Sequence, residues 1–170
     1  SGKLGLKMQD SGIDVVFAMR YGKPSISKVV KQMEEKGYEK IILIPLFPQY
    51  ATSSSETAIL KAKAAFKKWK QQPEIKVVEQ FYNDKGYIDA VIEKTKQFDF
   101  SEYDHVLFSY HGVPERHIRK SDVTKSHCKI DGSCCNTPSK AHEFCYRHQC
   151  LQTTKNVIKE LGWDETKVST

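Results

Sequence analysis

Short continuous apolar runs alternating with amphipathic helical patterns constrain this chain more than any other feature. "IDVVFAM" (13–19), "KIILIPLF" (40–47), "IKVVEQF" (75–81) and "HVLFSY" (105–110) have the length and apolar content of strands buried on both faces. Between them, "PSISKVVKQMEEKG" (24–37) sets Ile26, Val29, Val30 and Met33 at helical spacing and stops on Gly37. "SSSETAILKAKAAFKKWK" (53–70) opens with Ser53 and Glu56 at capping-box spacing. "DKGYIDAVIEKTKQF" (84–98) turns Tyr87, Ile88, Val91 and Ile92 to one side, and "QTTKNVIKELG" (152–162) predicts a closing helix. This alternation predicts an α/β fold, a doubly wound parallel sheet of four or more strands with right-handed crossovers. The 170 residues are read as a single domain, long enough for one core.

Residues 111–150 break the pattern, and a stretch of that length without periodicity is usually functional or held by something other than a core. The surrounding segment 109–150 holds all five cysteines and five of the six histidines. The cysteines are Cys128, Cys134, Cys135, Cys145 and Cys150, spaced C-x5-C-C-x9-C-x4-C. No C-x2-C pair exists, so common zinc-ribbon and ferredoxin spacings do not fit. An odd cysteine count and no signal-peptide pattern favour reduced thiols in a cytoplasmic protein over disulfides. Thiolates at this density predict a metal centre that stands in for a core, either Zn²⁺ or a [2Fe–2S] cluster, with residues 121–150 as an irregular insertion. His127, His142 and His148 are read as polar residues of that insertion.

In open α/β sheets, ligands bind beyond the carboxyl ends of the strands. Those ends carry Arg20 and Tyr21, then Phe47, Tyr50, Ser53 and Ser54, then Tyr82, then His111 followed by Gly112. Arginine pairs with a carboxylate and the tyrosines offer planar faces, which suits a flat ligand with acidic groups. A strand-end histidine accepts a proton near neutral pH or ligates a divalent metal, and Gly112 would let the backbone turn sharply after it. The net charge of +6 is compatible with an anionic partner, whether a carboxylated ligand or the surface of a membrane in peripheral association. The basic stretch "KAKAAFKKWK" (61–70) is read as a solvated lysine face over buried Ala, Phe and Trp, not as a nucleic-acid site. No apolar run reaches the roughly 20 residues that span a bilayer.

"AMRYGKPSI" (18–26), "PLFPQYATSSSE" (45–56), "FYNDKGYIDA" (81–90) and "LFSYHGVPERHIRK" (107–120) together resemble ferrochelatases, the enzymes that insert Fe²⁺ into a porphyrin in haem synthesis. The resemblance runs from about residue 13 to 162. It implies that His111 is the active-site histidine that takes pyrrole protons or binds the incoming iron. It implies that Arg20 and Tyr21 edge the porphyrin cleft, that Phe47, Tyr50, Ser53 and Ser54 line the macrocycle, and that Tyr82 lies at a pocket edge. Family enzymes are about twice as long and built from two similar α/β domains. The chain is therefore expected to be an N-terminal half lacking its start, inactive by itself, whose partners are porphyrin, ferrous iron and the missing C-terminal domain. The segment "CKIDGSCCNTPSKAHEFC" (128–145) replaces a short linker of ordinary members and resembles the insertion of bacterial forms that carry an internal [2Fe–2S] cluster. Animal members place one ligand in the "P-Q-Y" loop, where Thr52 stands here, so that ligand pattern does not apply. Four of the five cysteines are expected to ligate. Cys128, Cys145 and at least one of Cys134 and Cys135 are among them; the fourth stays open, because cluster-free relatives also have Cys150, which argues that it is structural, whereas the adjacent Cys134 and Cys135 side chains seldom both reach one cluster. Rival readings are a non-catalytic zinc or iron–sulfur module and a chelatase for another metal or tetrapyrrole.

Overall fold

The computed structural model describes residues 2–170 and is a mixed α/β structure. Its helices are α1 (Gly2–Met8), α2 (Ile26–Glu35), α3 (Thr57–Phe66), α4 (Lys85–Thr95), α5 (Glu115–Ser121) and α6 (Tyr146–Leu161). Its strands are β1 (Lys40–Leu43), β2 (Glu74–Val77), β3 (Val106–Leu107) and β4 (Val168–Ser169). Contacts divide the chain into two compact units, residues 1–44 with 57–78, and residues 45–56 with 79–170. Among the described residues, no helix is long and apolar enough to cross a membrane.

In the first unit, β1 and β2 pair in parallel, with Ile41 opposite Ile75 and Leu43 opposite Val77. The connection between parallel strands carries a helix, as it must, and α3 packs against α2. The core joins Ile26, Val30, Ile41, Ala62, Phe66 and Trp69, so the basic stretch does bury its Ala, Phe and Trp beneath a lysine face. Helix α2 begins where Ser25 accepts the Lys28 amide at 3.3 Å and is followed by Gly37 at φ +72°. Ser25→Ala is expected to lower stability by about 1 kcal/mol, read as a lower midpoint in urea unfolding.

The predicted strand at 13–19 is not formed. One isolated bridge joins Met19 to Ser25, and Ile13, Val16, Phe17 and Met19 are each about half exposed. A strand buried on both faces needs a paired neighbour and cover, and residues 13–18 have neither here. The other three predicted strands form in shortened versions, and β4 is a strand the sequence pattern did not reveal. They are arranged as two parallel pairs, β1–β2 and β3–β4.

The second unit packs α4 on α6 through Ile88, Ile92 and Val157, with Tyr87, Val91, Phe108 and Leu161 around them. Asp84 caps α4 by accepting the Tyr87 amide at 3.1 Å. Helix α6 starts at Tyr146, six residues before the predicted 152, and closes on Gly162 at φ +65°. That early start brings the last part of the cysteine segment onto a helix.

Candidate active site and cysteine-rich insertion

In the first unit, the turn after residue 19 is closed by Met19 N–H donating to Pro24 O at 2.8 Å. The Arg20 guanidinium lies 4.6 Å from the centre of the Tyr21 ring, and Tyr21 is 72% exposed. The Nε atom of Arg20 is buried without a hydrogen-bond partner. A donor in that state favours any anion that reaches it, because an unmet buried polar group is costly.

In the second unit, three loops converge on one helix. The loop 45–56 contains Phe47, Tyr50, Ser53 and Ser54, and ends in a π-type turn over Thr52–Glu56, where Glu56 N–H donates to Ala51 O at 3.3 Å. Such turns are rare and recur at functional sites. The capping-box residues Ser53 and Glu56 lie within this turn, and the Glu56 carboxylate accepts the Tyr50 hydroxyl at 3.0 Å. Phe81 N–H donates to Pro48 O at 2.9 Å, which ties the Tyr82 turn to the Tyr50 loop. Burial pushes the Tyr50 and Tyr82 phenols above their ordinary pKa, so both stay neutral. From α6, Gln149 Oε1 accepts the Tyr50 amide at 2.7 Å. The Thr153 hydroxyl accepts Gln49 Nε2 at 3.0 Å and lies 3.0 Å from Tyr82 O.

His111 lies beyond β3 and is exposed. Gly112 keeps out of the left-handed region, so the sharp turn expected of it is not made there. The His111 backbone amide faces the Tyr146 phenol on α6, which burial pushes up to about 12 with Cys150 adding to the effect. Tyr110, whose hydroxyl is 3.1 Å from Thr154 Oγ1, is likewise pushed up to about 12, chiefly by burial. Sequence reasoning missed Tyr146, Gln149 and Thr153. The available signal was the i, i+4 spacing of Gln149 and Thr153, which places two polar groups on one helix face.

Cys128, Cys134, Cys135 and Cys145 line a single small cavity, together with Arg119, Lys129 and Arg147. Cys150 does not line it and sits against Tyr146. All five are free thiols. Burial, reinforced by Cys134 and Cys145, pushes Cys135 up to about 12, and burial likewise raises Cys128 and Cys145. Cys128, Cys135 and Cys145, raised in this way, stay protonated unless a cation enters among them. Among the described residues, no three His, Cys, Asp or Glu side chains are placed to hold a single metal ion.

Backbone anchors hold the thiols where they are. The carboxylate of Asp122, only 7% exposed, accepts the amides of His127 at 2.9 Å, Cys128 at 2.8 Å and Thr124 at 2.9 Å. Burial works to raise that carboxyl, but the Thr124 hydroxyl and these three amides outweigh it and hold it at about 2. Cys134 and Cys135 lie on a 3-10 turn, Ser133–Asn136, where successive side chains diverge by about 120° and not by the 180° of a strand. His127 Nε2 and His142 Nε2 each donate to Cys134 O at 3.1 Å, and His148 Nδ1 donates to Cys135 O at 2.8 Å. The His142 and His148 rings stack at 3.5 Å. Gly132 precedes the turn at φ +81°, a conformation that favours glycine, and a Cβ there would displace the Arg147 guanidinium, whose Nη2 lies 2.7 Å away. Lys129 N–H points at Cys134 Sγ, 3.2 Å away, and His148 N–H at Cys145 Sγ, 3.5 Å away. The three histidines are thus clamps on the Cys134–Cys135 backbone, a role their sequence positions did not reveal.

Parallel strand pairs with intervening helices place the chain in the α/β class. The family model for ferrochelatases matches residues 3–170, and the chain belongs to the ferrochelatase family. It is 38% identical to a ferrochelatase of Pseudomonas syringae pv. tomato, over 96% of this chain and 48% of the relative. It is 40% identical to a ferrochelatase of Opitutus terrae, over 87% of this chain and 43% of the relative. A ferrochelatase of Pseudomonas fluorescens is 36% identical over 91% of this chain and 46% of its own length. The chain thus spans about half the length of the curated relatives it matches.

Proposed function

We propose that the full-length protein inserts Fe²⁺ into a porphyrin, protoporphyrin IX or coproporphyrin III, in haem biosynthesis, and that this chain supplies its N-terminal half. The observation that carries the reading is the family match across residues 3–170. The geometry supports it: the loops bearing Tyr50, Tyr82 and His111 all meet groups of α6, through Gln149, Thr153 and Tyr146. Metalation removes two pyrrole N–H protons as the ion enters, and His111, exposed beyond β3, is the base that accepts them one at a time and passes each to solvent. Arg20, whose Nε lacks a partner, pairs with a propionate of the macrocycle. Tyr21, Phe47, Tyr50, Tyr82 and the hydroxyls of Ser53 and Ser54 line the ring. A second α/β domain supplies the opposite wall, so the chain alone is inactive. The five free thiols favour a cytoplasmic setting.

Cys128, Cys134, Cys135 and Cys145 hold a [2Fe–2S] cluster in this reading, and Cys150 is a packing residue. The reading rests on donor type and neighbourhood: four thiols line one cavity, two of them receive backbone N–H groups, and Arg119, Lys129 and Arg147 would offset a net anionic centre. When bound, the cluster supplies cross-linking ligation in place of a hydrophobic core.

Titrating the full-length protein with protoporphyrin IX tests the substrate reading. Arg20→Ala is expected to weaken binding by roughly 10-fold or more, the worth of a charge-assisted hydrogen bond. Unchanged affinity in Arg20→Ala removes that residue from the site, and no quenching in the wild type removes the reading. Iron and sulfide at about two each per chain support the cluster, whereas stoichiometric zinc without sulfide replaces it.

A further inference from the structure

Charge is divided unequally along the chain. The first unit carries fourteen Lys and Arg against six Asp and Glu, a net +8, and the second carries thirteen against fifteen, a net −2. The excess is densest on α3 and the turn after it. Between Glu56 and Glu74 the sequence has five lysines, Lys61, Lys63, Lys67, Lys68 and Lys70, and no acidic residue. All five are exposed, and the ion pairs among the described residues, Lys36–Asp14, Lys40–Glu74 and Lys85–Asp89, use none of them. Glu34 reaches this stretch, but its carboxylate accepts the Lys70 backbone amide at 2.9 Å. At about 100° per residue, the buried Ala62 and Phe66 turn to one side of α3, and Leu60 and Ala64 turn to the other. Leu60 is 58% exposed in the middle of that outer face. Lys61 flanks it on one side and Lys63 and Lys67 on the other, with Lys67 extending the helix by donating its amide to Lys63 O at 3.0 Å.

We propose that the outer face of α3 docks on the surface of an anionic phospholipid bilayer, with its lysines over the headgroup phosphates and Leu60 entering between the headgroups. The inference is independent of the porphyrin reading. Three features favour lipid over another polyanion. An exposed leucine framed by lysines is the pattern of a helix lying in an interface, whereas nucleic acid gives such a side chain nothing apolar to enter. The aromatic rings that could stack on bases, Phe66 and Trp69, are 2% and 6% exposed and belong to the core. The cations are all lysine, hydrated point charges suited to a diffuse anionic surface, and no arginine stands among them to grip one phosphate bidentately. Because the inner face of α3 stays in the core, the helix cannot sink further, and attachment is peripheral, reversible and salt-sensitive.

Co-sedimentation of the full-length protein with vesicles at about 0.15 M salt is the test, since distant surface charges are largely screened there. Vesicles of phosphatidylcholine and phosphatidylglycerol in equal parts are expected to bind it, and vesicles of phosphatidylcholine alone are not. Lys61→Gln, Lys63→Gln and Lys67→Gln together are expected to weaken binding about 100-fold, roughly fivefold per lysine. Glutamine has a helix propensity close to that of lysine, and the three side chains are exposed, so this variant keeps its fold. A matched triple on exposed lysines of the second unit, Lys94→Gln, Lys96→Gln and Lys159→Gln, removes the same charge. It is expected to change binding by less than about twofold, because the attraction falls off within a Debye length of the surface. Leu60→Gln is expected to weaken binding about fivefold by removing the group that enters the lipid. Equal losses in the two triples would mean attraction to net charge alone and overturn the assignment to α3. Unchanged binding in Leu60→Gln overturns the choice of lipid, as does tighter binding to duplex DNA than to the anionic vesicles. A wild type that leaves the anionic vesicles unbound overturns the proposal outright.

Discussion

Full-length protein carrying His111→Ala is expected to insert metal roughly 10²- to 10⁴-fold more slowly than wild type while still binding porphyrin. The imidazole is exposed, so its removal leaves no cavity in a core and should barely change the unfolding midpoint. Its backbone faces Tyr146, and that contact survives the substitution because it involves the His111 amide. The loss should therefore fall on kcat and leave KM nearly unchanged, the signature of an interaction made in the transition state. Single-turnover metalation measured by absorbance separates the two parameters. A variant with wild-type kcat would remove His111 from the proton transfer and move the role to another residue.

Asp122→Ala is expected to be the most damaging single change in the insertion, costing about 3 kcal/mol. The carboxylate satisfies three backbone amides and a hydroxyl while almost fully buried, and alanine leaves those donors unmet. Asp122→Asn keeps the shape and one acceptor oxygen and should lose less. Because the folded carboxyl titrates at about 2, below its ordinary value near 3.8, Asp122 adds stability at pH values above the ordinary value. That contribution fades as the pH falls from about 4 towards 2 and is absent below both values. Urea unfolding at neutral pH and at stepwise lower pH reads this directly. A wild type whose stability stays flat across that window, or an alanine variant as stable as wild type, would contradict the assigned role.

The helices that could be read from periodicity, α2 and α4, depend on contacts three or four residues apart. Their inward residues Ile26, Val29, Val30, Ile88 and Ile92 are buried as the spacing requires. Gly37 follows α2 in the left-handed region, which local sequence signals well. The run at 13–19 has an equally clear local pattern and forms no strand, because a strand exists only where another chain segment pairs with it. The start of α6 lies earlier than the pattern suggests for a related reason: Cys145 supplies the cap, and Gln149 of the helix holds the carbonyls of the turn before it. Ser53 and Glu56 carry the sequence signs of a helix cap, and the structure sets them in a π-type turn in which Glu56 accepts the Tyr50 hydroxyl.

By itself the sequence determined the α/β class, the identity of the candidate chemical groups and their family resemblance, since these depend on residue type and short spacing. It left open which four of five thiols belong together, and it argued against neighbours sharing a site. Only the tertiary structure shows Cys128, Cys134, Cys135 and Cys145 lining one cavity, with Cys134 and Cys135 on a 3-10 turn whose carbonyls are gripped by three histidines. It likewise decided that Gln149 reaches Tyr50, a partner 99 residues away in the chain. Local propensity carries no record of such pairs, because their geometry is fixed by how whole segments pack and which buried donors each must satisfy.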